Sequence, residues 1–417
     1  MSALKTEFGG GRGDLFQLAM KTGFLTALTF GLYRFWQTTR FRRWYWSAVR
    51  PGGTPMEYTG TGAEKFIGFL FAIILLALYL AFFNVVAMFI TIRLSANTPG
   101  ILEYGAAATP LALIPIIFMA RYRARRYIMS RSRWRGIRFG MSAGAWGYAW
   151  RACLYSALTL LTLGLLWPLR TFQLEKYLTD RSWFGTARFT QFGSFWQLYG
   201  PLIPFLICFW GTLALYGYGL RYVLPAMLES ISRGIPMVAS NAPAWPFLAG
   251  NLGILLTFLF AVYYRVASFR VMAAMKTLGD GLEFDIHPRT RTLVRIHIIG
   301  GILTNLATSV AATIVIVAAI AIGMGIGISL PSGPSASVPE PSVILALTLL
   351  FVISLVVIIV FYNVFRQIFI TFPMVRHVAE TLEIHEPSLL STIRQRDRDD
   401  TRDAGGFAEA LNVGGAF

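Results

Sequence analysis

The sequence predicts an all-α polytopic membrane protein, on three observations. Hydrophobic residues make up 55% of the 417 positions and charged residues 14%, against about 25% charged in soluble domains. Six stretches, 66–92, 101–119, 198–218, 247–264, 307–330 and 343–362, are long and apolar enough to cross a bilayer, which takes about 20 residues. The net charge of +17 is concentrated between those stretches. Together these features exclude an ordinary soluble globule and a disordered chain. The two cysteines, Cys153 and Cys208, lie in apolar segments. They read as packing thiols, without a disulfide framework or a thiolate metal site.

Residues 1–14 are polar and glycine-rich, and no removable signal peptide is expected there. Segments 15–33 and 148–167 are weaker apolar stretches that carry Lys21 and Arg151. They are interfacial, re-entrant or spanning on sequence grounds. Connections 34–65, 120–147, 168–197 and 265–291 hold 23 basic residues against 7 acidic ones, whereas Arg93, Arg221 and Arg233 are the basic residues of the other three. Lys and Arg stay on the cytoplasmic side. If the weaker segments do not cross, every basic connection falls on one side. The six strong spans then form three hairpins with both termini cytoplasmic. An eight-span reading stays open, because both weaker segments are long enough to cross.

Self-comparison predicts degenerate internal repeats. LTALTFG at 25–31 matches LTLLTLG at 158–164, and each is followed by an aromatic and basic stretch. A fainter copy begins at Leu293. The expected organisation is a polar segment 1–14, membrane repeats 15–139, 140–291 and 292–390, and a disordered tail 391–417 of mixed charge. Within the repeats, Arg-bearing helix-like stretches are followed by a glycine and a short extended piece, as at Gly136-Ile137-Arg138-Phe139, Gly185 to Phe189 and Gly281-Leu282-Glu283-Phe284. These read as basic amphipathic cytoplasmic helices that lie at the interface, each ended by a glycine turn.

The runs LTALTFGLYRFWQTTRFRRWYW at 25–46 and MEYTGTG at 56–62 resemble the YjgN-like family of bacterial inner-membrane proteins, a domain of unknown function. LTLLTLGLLWPLRTFQLEKY at 158–177 and RSRWRGIRFG at 131–140 carry the same resemblance, which extends over roughly residues 8–380. It implies an inner-membrane location and a polytopic fold, and supplies no activity or catalytic residue. The faint third copy and the tail depart from the pattern.

Motifs for nucleotide, metalloprotease or serine-hydrolase chemistry are absent from the sequence. The four histidines, His287, His297, His377 and His385, have no metal-ligand spacing. The expectation is therefore a non-enzymatic protein without cofactor or metal. Candidate contacts to an anionic headgroup or ligand are Arg40, Arg42, Arg43, Arg121, Arg123, Arg125, Arg126, Arg170, Arg265 and Arg270, which adjoin apolar segments and can snorkel. Lys21, Arg151 and Arg295 are candidate cleft residues, and Asn84, Asn251 and Asn363 candidates for interhelical hydrogen bonds. Anionic membrane lipids are the expected partners, and nucleic acid is not. The sequence points to binding or transport of a small anionic or lipid-like solute. The alternative is a non-transporting protein that organises anionic lipid or a partner through its basic helices.

Overall fold

A computed structural model describes residues 3–95, 109–233, 243–279, 281–325 and 341–396. Its architecture corrects the all-α class: the helices are joined to a ten-stranded antiparallel sheet. The strands have only three or five residues each. Such pieces are too short for period-two alternation to stand out between long helices.

Five helical units leave the sheet and return to it through neighbouring strands. Strands β1 (Leu4–Phe8) and β2 (Val49–Pro51) bracket helices α1 (Arg12–Leu28) and α2 (Arg34–Ala48). Strands β3 (Met56–Tyr58) and β4 (Ser132–Trp134) bracket α3 (Gly62–Ser95) and α4 (Thr109–Arg131). Next, β5 (Ile137–Met141) and β6 (Ser182–Phe184) bracket α5 (Ala145–Leu161) and α6 (Trp167–Thr179). Strands β7 (Ala187–Gln191) and β8 (Lys276–Leu278) bracket α7 (Tyr199–Arg233) and α8 (Trp245–Ala273). Finally, β9 (Leu282–Ile286) and β10 (Leu382–Ile384) enclose α9 (Thr290–Gly325), α10 (Pro341–Arg366) and α11 (Phe372–Glu380).

The sheet order is β2-β1-β10-β9-β8-β7-β6-β5-β4-β3. Its two edges, β2 and β3, are consecutive in the chain and touch, so the sheet is a nearly closed barrel. Tight turns join the units. Arg135 and Gly136, at φ 50° and 78°, meet the two positive φ values of a type I′ hairpin, and Gly185 at φ 54° takes the first turn position of the next. Register then sorts the side chains. Trp134 faces Ile137, Phe184 faces Ala187 and Leu278 faces Leu282, while Arg133 faces Arg138 and Trp183 faces Arg188 one residue away. The first set fills the barrel with Ile384, and Leu390 closes it from the segment after β10. Residues 391–396, placed in the tail by sequence, are bonded to the β6–β7 turn and to β5: Thr186 N donates to Arg394 O at 2.9 Å and Arg138 N to Gln395 Oε1 at 2.8 Å. The rest of the tail lies outside the described residues.

The two weaker apolar segments turn back. In the first, Thr29 Oγ1 donates to Leu25 O at 2.8 Å and accepts from Tyr33 N at 2.9 Å. Gly31 N bonds Thr26 O at 2.7 Å, a Schellman closure with Gly31 at φ 89°. In the second, Thr162, Gly164 and Leu166 repeat this geometry, with Gly164 at φ 91°. Helices α1 and α5 have 17 residues each. That is a length of about 25 Å, short of the roughly 30 Å of a hydrocarbon core.

The other helices are longer. Among the described residues five stretches are long and apolar enough to cross a membrane: Gly62–Arg93, Phe195–Arg233, Trp245–Ala273, Thr290–Gly325 and Pro341–Glu380. The expected span 101–119 begins outside the described residues, and its remainder forms the first half of α4. Packing between long helices uses close contacts and polar bonds. Gly250 lies under Tyr216 and Gly219 under Phe247, and Tyr216 Oη donates to Asn251 Oδ1 at 2.9 Å between α7 and α8. Asn84 and Asn363 instead donate to carbonyls of their own helices. Outward faces stay apolar, as at Phe82 and Val85, which are 71% and 68% exposed. A surface of that kind calls for lipid.

Replacing Phe184 by alanine empties the middle of the barrel and is expected to cost about 3–5 kcal/mol. Thermal unfolding in detergent measures it. Gly164→Ala forces a side chain into left-handed backbone and is expected to cost about 1–2 kcal/mol, whereas Gly13→Ala, in helix α1 with ordinary φ and open space, should be neutral or slightly stabilising.

Candidate functional site

The helices meet the sheet in a collar where cations and aromatic rings alternate. All four basic connections lie at this end, because each contains two consecutive strands of the barrel.

One sector is built by α2, β3, α3 and α4. The Arg42 guanidinium lies 5.6 Å from the Trp46 ring centre and 5.4 Å from that of Tyr58. Lys65 is fully buried, with Nζ 5.2 Å from the centre of the Tyr58 ring. Burial lifts the Tyr58 phenol to about 12 despite the opposing pull of Arg42, so it is a neutral ring at physiological pH. Glu64 supplies the counter-charge: it accepts from Tyr127 Oη at 2.9 Å and pairs with Arg131 at 3.1 Å. Arg43 donates to Gly60 O at 2.9 Å.

A second sector packs Tyr122, Tyr148 and Tyr177 together from α4, α5 and α6. Tyr122 Oη donates to Ser142 O at 2.6 Å and Tyr177 Oη to Gly144 O at 3.0 Å. A Cβ at Gly144 would lie 2.9 Å from the Tyr177 hydroxyl, so a larger residue there would displace it. Arg181 stacks on Tyr177 at 3.7 Å, and Arg151 approaches the same ring at 4.9 Å.

Glu175 of α6 ties this sector to the next unit. Its carboxylate lies 3.4 Å from Arg125 of α4 and 2.6 Å from Lys276 of β8. Burial alone raises the carboxyl's pKa; Arg125 and Lys276 reverse this and hold it well below the usual carboxylate range.

The residues singled out from sequence divide into two groups. Arg42, Arg125, Arg126 and Arg170 are half-buried in the collar, where Arg126 Nε donates to Met141 O at 3.0 Å and burial lowers the Arg170 pKa. Arg40, Arg43, Arg121, Arg123, Arg265 and Arg270 are exposed. Lys21, Arg151 and Arg295 are exposed on three different helices, α1, α5 and α9. Of these, Arg295 lines a groove between α8 and α9 together with Tyr263 and Arg291. Sequence reasoning missed Lys65, Glu64, Glu175, Lys276 and the tyrosines. Glu175 carried a signal, as one of only two acids in the basic connection 168–197.

Chemically, the collar is a rigid array of cations. Rings and carboxylates hold the inner arginines in place, and the outer ones face the surroundings at the foot of the apolar helices. This arrangement suits attraction and orientation of anions.

Glu175→Gln is expected to destabilise the fold by about 1–3 kcal/mol, since it leaves two neighbouring cations without their counter-charge. The Glu175 pKa is depressed by folding, so its contribution is fully present above its unfolded value of about 4.3. It is lost as the pH falls further, through the folded value. Between pH 5 and 9 the difference in unfolding temperature between wild type and variant should therefore be constant, and it should shrink in more acid solution.

The comparison with curated proteins and with solved structures gives no match. A family model described as bacterial protein of unknown function, DUF898, which includes the YjgN-like family, matches residues 3–308. With most of its length matched, the chain belongs to this bacterial family of unknown function.

Proposed function

We propose that this protein is a multi-pass protein of the bacterial inner membrane that binds and organises anionic lipid at the cytoplasmic face. The single observation that carries the reading is the shared position of all the basic connections, at the barrel end of the apolar helices. The positive-inside tendency then supports a cytoplasmic barrel and cytoplasmic termini. The barrel interior is filled by Trp134, Phe184, Leu278 and Leu282, which favours a platform over a conduit. The role is binding, without catalysis, cofactor or nucleic acid.

A transport reading, in which a small anionic or lipid-like solute moves between helical units, draws support from one feature. The α1/α2 and α5/α6 hairpins turn back after about 25 Å, short of a full crossing, and leave the far edge of the bilayer beside them to other elements. The matching turns at Gly31 and Gly164 also support internal repetition of these hairpins.

Sidedness is tested with single cysteines in a background lacking Cys153 and Cys208. A membrane-impermeant maleimide added outside intact cells is expected to label Ser232→Cys at the far end of α7 and to spare Thr54→Cys beside the barrel. The reverse pattern would sink the orientation. For the lipid reading, Arg40, Arg121, Arg123 and Arg270 are replaced together by glutamine. Loss of attraction is expected at about 1 kcal/mol per residue, read as weaker retention of phosphatidylglycerol in native mass spectrometry. Unchanged retention rejects the role of the collar.

A further inference from the structure

Helices α8 and α9 leave neighbouring strands of the barrel, and a groove of about 350 Å³ opens between them. It is lined by Tyr263 of α8 and by Arg291, Val294, Arg295, Ile298 and Ile299 of α9. Its volume falls within the range of small-molecule sites, about 300–1,000 Å³. Its wall is apolar, with the arginines lending their carbon stems to it. Arg291 and Arg295 are one helical turn apart at the barrel end of α9, both exposed, and they are the charged residues of the lining. Ile298 and Ile299, 38% and 48% exposed, continue the wall toward the apolar body of the same helix.

We propose that this groove is a discrete site for one anionic phospholipid, its phosphate held between Arg291 and Arg295 and its proximal acyl chain laid along Val294, Ile298 and Ile299. The inference rests on the lipid reading above and deepens it by naming a stoichiometric site apart from the collar. Charge complementarity selects the occupant. Two guanidiniums offer paired N–H donors to phosphate oxygens, and no carboxylate in the lining competes for them. The apolar wall beside them has no use for a soluble anion. Both helices belong to candidate membrane spans, and the groove lies at the barrel end of α9. Tyr263 adds an aromatic wall at that boundary.

The test uses the full chain, delipidated in detergent and titrated with phosphatidylglycerol or phosphatidylcholine, with bound lipids counted by native mass spectrometry. Wild type is expected to retain one phosphatidylglycerol more tightly than the rest and to show no such preference for phosphatidylcholine. Arg291→Gln with Arg295→Gln should weaken that first binding by about 30-fold, the combined effect of two basic residues near headgroups. Ile298→Trp keeps both arginines and fills the wall, and it should also weaken the first binding. An unchanged unfolding temperature shows that either variant is folded. Equal first-lipid affinity in wild type and both variants overturns the site. Loss in the quadruple collar variant with no loss in the groove variants also overturns it and leaves the collar reading standing. Loss in the groove variants alone supports the site and removes the collar. Displacement of the lipid by glycerol phosphate at comparable concentration would identify a site for soluble anions and overturn the assignment.

Discussion

The described helices are positioned by the backbone hydrogen bonds of ten short strands. A strand of three residues offers too few groups to hold a partner alone, and an isolated hairpin is marginal in water. Here each strand except the two at the edges pairs on both sides, and the edges meet through a tight glycine turn. Near-closure satisfies the donors and acceptors that an open sheet would expose. It also converts ten weak pairings into one cooperative ring around Trp134, Phe184, Leu278 and Leu282. The helical pairs inherit their spacing from this ring, because each pair departs and returns on adjacent strands.

The collar follows from that geometry. Bringing the feet of the helices together also brings together the arginines that flank them, and like charges so placed repel. Three devices contain the repulsion. Aromatic faces receive guanidiniums, as Tyr177 does for Arg181 and Tyr58 for Arg42. Scarce carboxylates are shared, as Glu175 is between Arg125 and Lys276. The remaining arginines are exposed, where solvent and salt screen them. An acid in this zone is therefore worth more than its number suggests, and the fold places Glu64 and Glu175 inside the basic sectors.

Parts of the fold were legible because their signals are local. The glycines at 136, 185 and 281 announced turns followed by short extended pieces, and each now stands in a hairpin of the barrel with positive φ. The candidate arginines were visible as a class, since basic residues beside apolar runs are conspicuous. Which of them would be clamped and which would face outward was not visible. That sorting depends on partners such as Tyr58 for Arg42 and Met141 O for Arg126, set by packing between elements. Lys65 escaped notice because it stands at the foot of a strongly apolar run, and its burial depends on neighbouring elements such as the strand that carries Tyr58.

Composition and hydropathy by themselves determined that this chain carries helices fit for a membrane and that its positive charge is distributed asymmetrically, because both are sums over neighbouring residues. Membership of an uncharacterised bacterial family was equally written in local motifs. Only tertiary structure decided that the class is mixed. The pairing of Leu4 with Ile384 joins the two ends of the described chain, and a ladder of such non-local bonds leaves no periodic trace in segments of three to five residues. Tertiary structure likewise decided the depth of the short hairpins. Their apolar residues extend through the turns at Gly31 and Gly164, so hydropathy runs on where the backbone has already reversed.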